Sequence, residues 1–226
     1  MIRCGAEAEM PRIEPFEAHF SEYDRWFDDH RFVYLSEVAA LRHFIPEGGT
    51  GLEIGAGTGR FAVPLNIRIG IDPSPQMRAI ARKRGLYVLG GVAEYLPFRD
   101  KQFDLALMVT TVCFVDDMKK AFKEVYRILK DDGSLIVGFI DKDSFLGRTY
   151  LNKKIKNKFY RYATFYSVAE VVSDLRYAGF CHVAMVQTIF DHLNDITSVQ
   201  MLREGYGDGG FVAIQASKAT ALATNR

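Results

Sequence analysis

The sequence predicts an α/β fold on an open sheet, and three observations carry that reading. The first is the stretch Gly51-Leu-Glu-Ile-Gly-Ala-Gly-Thr-Gly-Arg60, where an apolar run meets three alternating glycines and a helical pattern follows from Arg60. Such glycines let the backbone turn sharply and keep side chains out from between it and a ligand. The helix that opens there aims free N–H groups into the gap. The second is Ile69-Gly-Ile-Asp-Pro-Ser74, a short strand pattern with an acid, Asp72, at its carboxyl end. Strand carboxyl ends line the ligand crevice of an open α/β sheet. The third is the alternation of short apolar runs at 86–89, 103–109 and 134–140 with segments of helical period.

The glycine spacing is G-x-G-x-G, not the G-x-G-x-x-G of a dinucleotide site. Taken alone it also fits a plain strand-to-helix turn. An acid at the tip of the second strand can accept both hydroxyls of a ribose, each charged hydrogen bond being worth roughly 1.5–3 kcal/mol. Loop and acid together point to a nucleoside ligand.

Composition narrows the class. A chain of 226 residues with 48% hydrophobic content fits one globular domain with a full core. A net charge of +1 gives no global pull toward nucleic acid or membrane. No apolar run is long enough to span a bilayer, and the N-terminus lacks an apolar signal core. Cys4, Cys113 and Cys181 form no CxxC pair and no zinc spacing, which predicts a reduced, cytoplasmic setting and no metal.

Four stretches then stand in a telling order: Leu52-Glu-Ile-Gly-Ala-Gly-Thr-Gly59, Gly70-Ile-Asp-Pro-Ser74, Ala93-Glu-Tyr-Leu-Pro-Phe98 and Arg127-Ile-Leu-Lys-Asp-Asp-Gly133. Residues 50–140 resemble the class I S-adenosylmethionine (SAM) methyltransferases, in the branch with the ubiquinone and menaquinone methyltransferases. The resemblance implies a doubly wound, mostly parallel seven-stranded sheet whose last strand is antiparallel, with an N-terminal helical lid. It also implies SAM as cofactor and S-adenosylhomocysteine as product. On this reading the chain is one domain, 1–226. Residues 1–45 form a helical cap, 46–141 the cofactor half, 142–217 the substrate side and 218–226 a flexible tail.

Along the chain, residues 1–12 read as a loose lead-in, with Met10 a second candidate start. From Pro15 to Phe44 the period is helical. Phe16, Phe20, Tyr23, Trp26 and Phe27 come first, then Phe32, Leu35, Val38, Leu41 and Phe44. The second stretch packs on the sheet. The aromatic first stretch fits plain core, and by resemblance a cover that turns Tyr23, Trp26 and Phe27 toward substrate. Pro46-Glu-Gly-Gly49 is a turn leading into a strand over 50–55. The resemblance puts Glu53 near the methionine end of SAM, whereas the bare residue can hydrogen-bond the loop's own backbone. Pro64 limits the helix after the loop to two turns at most.

Ser74 can cap the next helix with Pro75 in its first turn, Met77, Ile80 and Ala81 on its apolar face and Gly85 past its end. By resemblance Gly55, Ala56, Gly57, Gly59 and Asp72 surround the cofactor, with Pro73 and Met77 against the adenine. Val92 stands where relatives carry an acid, so adenine falls to the backbone near Ala93 and Glu94. The buried strand 103–109 ends in Thr110-Thr-Val-Cys-Phe114, with Thr110 on the cofactor side and Thr111 and Phe114 toward substrate. Neither the Asn/Asp-Pro-Pro-aromatic tetrad nor the Pro-Cys pair of nucleobase methylation is present, and Cys113 reads as a packed thiol.

Asp116 is expected to cap a helix faced by Met118, Ala121, Phe122, Val125, Ile128 and Leu129 and ended by Gly133, before a strand from Ser134 to Ile140 tipped by Asp141. In 142–165, Lys153, Lys154, Lys156, Lys158 and Arg161 crowd among aromatics, and Ile155, Phe159 and Tyr162 fall on one helical face. That describes an amphipathic flap over the pocket, or else the RNA-binding patch over 153–162 of an RNA methyltransferase. Ser167 and Glu170 make a capping box for a helix running to Gly179. Val183–Phe190 and Phe211–Ala216 read as the last strands, joined by a glycine-rich turn over 204–210, with a disordered tail from Lys218.

The expected reaction is in-line methyl transfer to a small-molecule acceptor, an amine, a phenol or quinone-like group, or a carbon nucleophile. The protein aligns and desolvates the acceptor and removes its proton. Candidate bases are His19, Tyr23, His30 and Asp141. No nucleic-acid or membrane partner is expected, and the chain reads as a monomer or homodimer. Val92 and the shortened helix leave open a SAM-binding module without turnover.

Overall fold

The computed structural model describes residues 13–219; the lead-in with Met10 and the tail from residue 220 lie outside them. Three helices come first, α1 (Glu14–Ala18), α2 (Phe20–Asp29) and α3 (Arg31–Arg42). His19 and His30 leave helical geometry and divide them, so the aromatic stretch is two helices rather than one. α3 buries Val33, Glu37 and Leu41, four residues apart, while Phe32 is exposed. Its inward stripe is therefore rotated from the expected one.

The chain continues through β1 (Gly51–Ile54), β2 (Ile69–Ile71), α4 (Pro75–Lys83), β3 (Tyr87–Leu89), β4 (Phe103–Val109), α5 (Met118–Ile128) and β5 (Leu129–Ile140). α6 (Phe145–Lys153), α7 (Val168–Ala178), β6 (Phe180–Thr188), β7 (Arg203–Glu204) and β8 (Phe211–Lys218) complete it. The strands form one sheet in the order β3-β2-β1-β4-β5-β8-β6-β7. β1 to β5 are parallel, and β8 runs antiparallel to both its neighbours, β5 and β6. The doubly wound sheet with an antiparallel final strand is as predicted. The eighth strand is β7, a two-residue edge paired to β6.

The two faces of the sheet bury different sets of side chains. In β4, Ala106 and Met108 join Phe122, Val125, Val171 and Leu175 of α5 and α7, whereas Leu105, Leu107 and Val109 join Val33, Val38 and Leu41 of α3. The period-2 alternation of a buried strand thus feeds both layers, as a sheet covered on both faces requires.

Several boundaries differ from expectation, each for a local reason. The segment after the glycine loop is a series of hydrogen-bonded turns, not a short helix. Pro64 removes a donor, and Asn66 takes a left-handed φ of 60° to let the Ile67 N–H reach the Ala62 carbonyl. The cap of α5 is Asp117, whose carboxylate accepts the Lys120 N–H at 3.0 Å, not Asp116. α5 stops at Ile128, because Leu129 pairs with Phe103 and its carbonyl accepts the Lys218 ammonium at 2.6 Å. Lys218 is accordingly the buried last residue of β8 rather than the start of a loose tail.

The basic–aromatic segment is likewise not one amphipathic helix. The Asn157 carboxamide oxygen accepts the N–H groups of Phe159 and Tyr160, forming a turn between two 3-10 segments at Lys154–Lys156 and Tyr160–Tyr162. Ile155 is left 92% exposed while Phe159 turns inward. α7 carries the predicted capping box, with Gly179 left-handed at its end. Among the described residues no helix is long and apolar enough to cross a membrane.

Candidate active site

The order 3-2-1-4-5 reverses direction between β1 and β4, and the carboxyl ends of those strands open into one cavity of about 450 Å³. This is the switch point at which open α/β sheets bind ligands. The glycine loop enters it directly after β1. Gly55 has a φ of 71°, and a Cβ there would sit 2.4 Å from Thr111 Oγ1, so glycine is required on both counts. Gly55 and Ala56 donate their N–H groups to the Ile71 carbonyl, which ties the loop to β2.

Asp72 follows β2 and faces the cavity. Its Oδ2 accepts the Gly57 N–H at 2.8 Å and its Oδ1 the Ser74 N–H at 2.9 Å, so the acid and the glycine loop are fixed to each other. Burial pushes its carboxyl up to about 6, against the pull of those two N–H donors. Ser74 caps α4 by accepting the Met77 N–H. Pro73, Met77, Val92, Ala93 and Glu94 form the wall beyond Asp72. Val92 presents an apolar surface there, and Glu94 is committed elsewhere, since its Oε1 accepts the N–H groups of Asp116 and Asp117.

The helical lid closes the opposite side. Tyr23 lies against Gly57, its hydroxyl 3.6 Å from where a Cβ would stand. Tyr23 makes edge contacts with Phe16, Phe27 and Phe159, and Phe16 meets Phe114 at 4.9 Å. Polar contacts hold the lid down. Asp24 accepts Arg60, Arg84 and Thr58 at 2.7–3.0 Å, and those guanidinium and hydroxyl donors hold its carboxyl well below the usual range despite burial. Glu17 accepts the Ser74 hydroxyl and the Gln76 N–H.

Gly55, Gly57, Asp72, Pro73, Met77, Ala93, Glu94 and Thr110 all line this cavity, as do Tyr23, Trp26, Phe27, Thr111 and Phe114. The other residues singled out in the sequence lie elsewhere. Ala56 and Gly59 pack behind the loop, toward Gly70 and Ala81. Glu53 is sealed beneath it, its Oε2 accepting the Ala62 N–H at 2.9 Å, and burial pushes its carboxyl well above the ordinary range. Asp141 accepts the N–H groups of Asp143 and Val168 and serves the turn between β5 and α6. His19 faces Glu22 and Phe159 outside the cavity, and His30 stacks on Trp26. Cys113 donates to the Thr110 carbonyl, and burial pushes its thiol up to about 12, which makes it a packed thiol.

Several lining residues escaped the sequence reading, and Glu37 is the charged one buried most deeply. Glu37, on the inner stripe of α3, lines the cavity together with Tyr150 and Tyr160 of the 145–162 segment, whose phenols feel its charge. The signal was its place four residues from both Val33 and Leu41. A charged residue on an otherwise apolar stripe gives no sign of which side it faces.

Comparison with known proteins agrees with this geometry. A methyltransferase domain model matches residues 52–137. The crystal structure of a SAM-dependent methyltransferase from Thermotoga maritima, described as a possible histamine N-methyltransferase, is 53% identical. It superposes with a TM-score of 0.89, covering 91% of this chain and 99% of its own. An uncharacterized protein of Methanocaldococcus jannaschii is 48% identical over 90% of this chain and 98% of its own length. A demethylmenaquinone methyltransferase of Roseiflexus castenholzii is 37% identical over 40% of this chain and 42% of its own. The glycine cradle, the cavity-facing acid at the second strand tip and these likenesses agree, and the chain belongs to the class I SAM-dependent methyltransferases.

Proposed function

We propose that this enzyme methylates a small molecule held between the glycine loop and the aromatic lid. The observation that carries the reading is the joined pair of Gly57 and Asp72 in a cavity lined largely by aromatic side chains. Gly55 and Gly57 admit the cofactor's amino-acid end, Asp72 accepts its ribose hydroxyls, and Pro73, Met77, Val92 and Ala93 flank the adenine. When bound, SAM supplies a methyl group on a positively charged sulfur, which makes it a reactive donor without metal assistance.

The protein's remaining task is to place a nucleophile in line with that methyl group and to keep water away. Tyr23, Phe16, Phe114, Phe159 and Tyr160 form the apolar wall that does so. Burial, then the acids around it, keep the Tyr23 phenol well above its ordinary range, so it acts as a neutral hydrogen-bonding group rather than a base. A cavity roofed by packed helices suits a small acceptor better than a polynucleotide. Lys158 of the basic segment is paired with Glu22 of the lid. Amines are the first acceptors to screen, a choice supported by the description of the Thermotoga relative.

Calorimetric titration with SAM and with S-adenosylhomocysteine, with NAD as control, tests the cofactor site. Micromolar binding of either SAM species and none of NAD is the expected result. Binding of NAD alone would refute the site assignment.

A further inference from the structure

We propose that Glu37 is the anchor for a protonated amine on the methyl acceptor, so that the acceptor pocket selects cationic substrates. The proposal rests on the methyltransferase reading of the cavity and deepens it. Glu37 is 5% exposed and lines the cavity. Among the described residues no N–H, hydroxyl or cationic group is bonded to its carboxyl. Buried acids are ordinarily paired or fully hydrogen-bonded, because an unpaired one costs several kcal/mol. The other buried carboxyls show the rule, since Glu53 receives Ala62, Asp72 receives Gly57 and Ser74, and Asp141 receives Asp143 and Val168. Glu37 alone among these faces the cavity without a donor, which is the arrangement expected of a group whose partner arrives with the substrate.

The surroundings favour a cation as that partner. Among the groups whose ionisation Glu37 influences are four phenols, Tyr23 on α2, Tyr34 on α3 itself, Tyr150 on α6 and Tyr160 in the following 3-10 turn. Their rings can face a cation, and no lysine or arginine neutralises the acid. Around the whole cavity, Glu22, Asp29, Glu37, Asp72, Glu94 and Asp116 stand against Arg25 alone. Because the cofactor also brings positive charge, a second cation can enter only where an acid compensates it. Burial raises the Glu37 carboxyl from 4.5 to about 8, so without a cationic partner it is protonated near neutral pH. An arriving ammonium group favours the carboxylate, and the acid's proton leaves to solvent as the ion pair forms.

The test uses the full chain saturated with S-adenosylhomocysteine, titrated at pH 7 with butylamine, 2-phenylethylamine and tryptamine, each beside the alcohol of the same skeleton. At least one amine should bind ten times more tightly than its alcohol. Its binding should also release a proton, read from the dependence of the heat on buffer ionisation enthalpy. Glu37→Gln should abolish both the preference and the proton release while keeping S-adenosylhomocysteine affinity within twofold. If no amine outbinds its alcohol, or the preference survives in Glu37→Gln, the proposal is wrong although the cofactor site stands. If S-adenosylhomocysteine itself fails to bind, the cofactor reading falls and the proposal with it.

Discussion

Replacing Glu37 by glutamine should stabilise the empty protein, and the gain should grow with pH. In the folded chain burial holds this carboxyl protonated up to about pH 8, whereas in the unfolded chain it titrates near 4.5. A carboxyl raised on folding contributes its full share of stability at low pH and loses it as pH rises from the unfolded value toward the folded one. Each pH unit inside that window costs about 1.4 kcal/mol. The wild-type protein is therefore penalised by roughly 1 kcal/mol at pH 5 and about 3 kcal/mol at pH 7. Glutamine does not titrate, so its own hydrogen-bonding deficit adds a constant offset. Glu53 and Asp72, also raised by burial, titrate in both proteins and cancel in the difference. Urea unfolding of both proteins at pH 5, 6 and 7 measures it. The stability of Glu37→Gln minus wild type should rise by about 2 kcal/mol from pH 5 to pH 7. A difference flat with pH would show that Glu37 is solvated or paired in solution, and the argument from its isolation would fail.

Three further outcomes follow from the same geometry. Asp72→Ala should weaken SAM binding at least tenfold, each charged hydrogen bond to ribose being worth roughly 1.5–3 kcal/mol. Because the Asp72 carboxyl titrates at about 6, wild-type affinity should fall as pH drops through that value, while the alanine variant stays flat on calorimetry. Gly55→Ala forces a Cβ into a left-handed residue 2.4 Å from Thr111 Oγ1 and should destabilise by about 2 kcal/mol or more. Adding Thr111→Ala should recover part of that loss on thermal unfolding, since the nearest remaining contact is then Cβ to Cβ at 3.0 Å. Asp24→Ala removes the shared acceptor of Arg60, Arg84 and Thr58 and should cost about 1–3 kcal/mol. Hydrogen exchange should then quicken in α2 and stay unchanged in β4; equal protection in both proteins would show that packing alone holds the lid.

What the sequence disclosed and what it hid divide along physical lines. The glycine loop and Asp72 were legible because their chemistry is local: positive φ demands glycine, and a strand tip demands little else. The capping box at Ser167 and Glu170 was legible for the same reason, as its partners are three residues apart. The end of α5 was not, because Leu129 is drawn into β5 by Phe103 and by Lys218, 89 residues away. Asp117 and Asp116 are adjacent acids with equal capping propensity, and their backbones are both held by Glu94 from another segment, so no local signal separates them. Asp141 looked reactive from its place after a strand, and only the folded chain shows its carboxylate taken up by the turn it starts. Glu37 was hidden because periodicity reports where a side chain points only when its polarity agrees with its surroundings.

The contacts of Asp24 and Glu17 bear on how such enzymes diversify. Both acids sit in the lid, yet their partners Arg60, Arg84, Ser74 and Gln76 belong to the half that carries the glycine loop and Asp72. Cap and cofactor half therefore share polar contacts across their boundary. A cap lacking acids at 17 and 24 would leave Arg60, Arg84 and Ser74 without those acceptors. Exchange of the cap at a boundary near residue 46 would separate Asp24 from both arginines, whereas substitutions at Glu37, Tyr150 and Tyr160 leave those contacts in place.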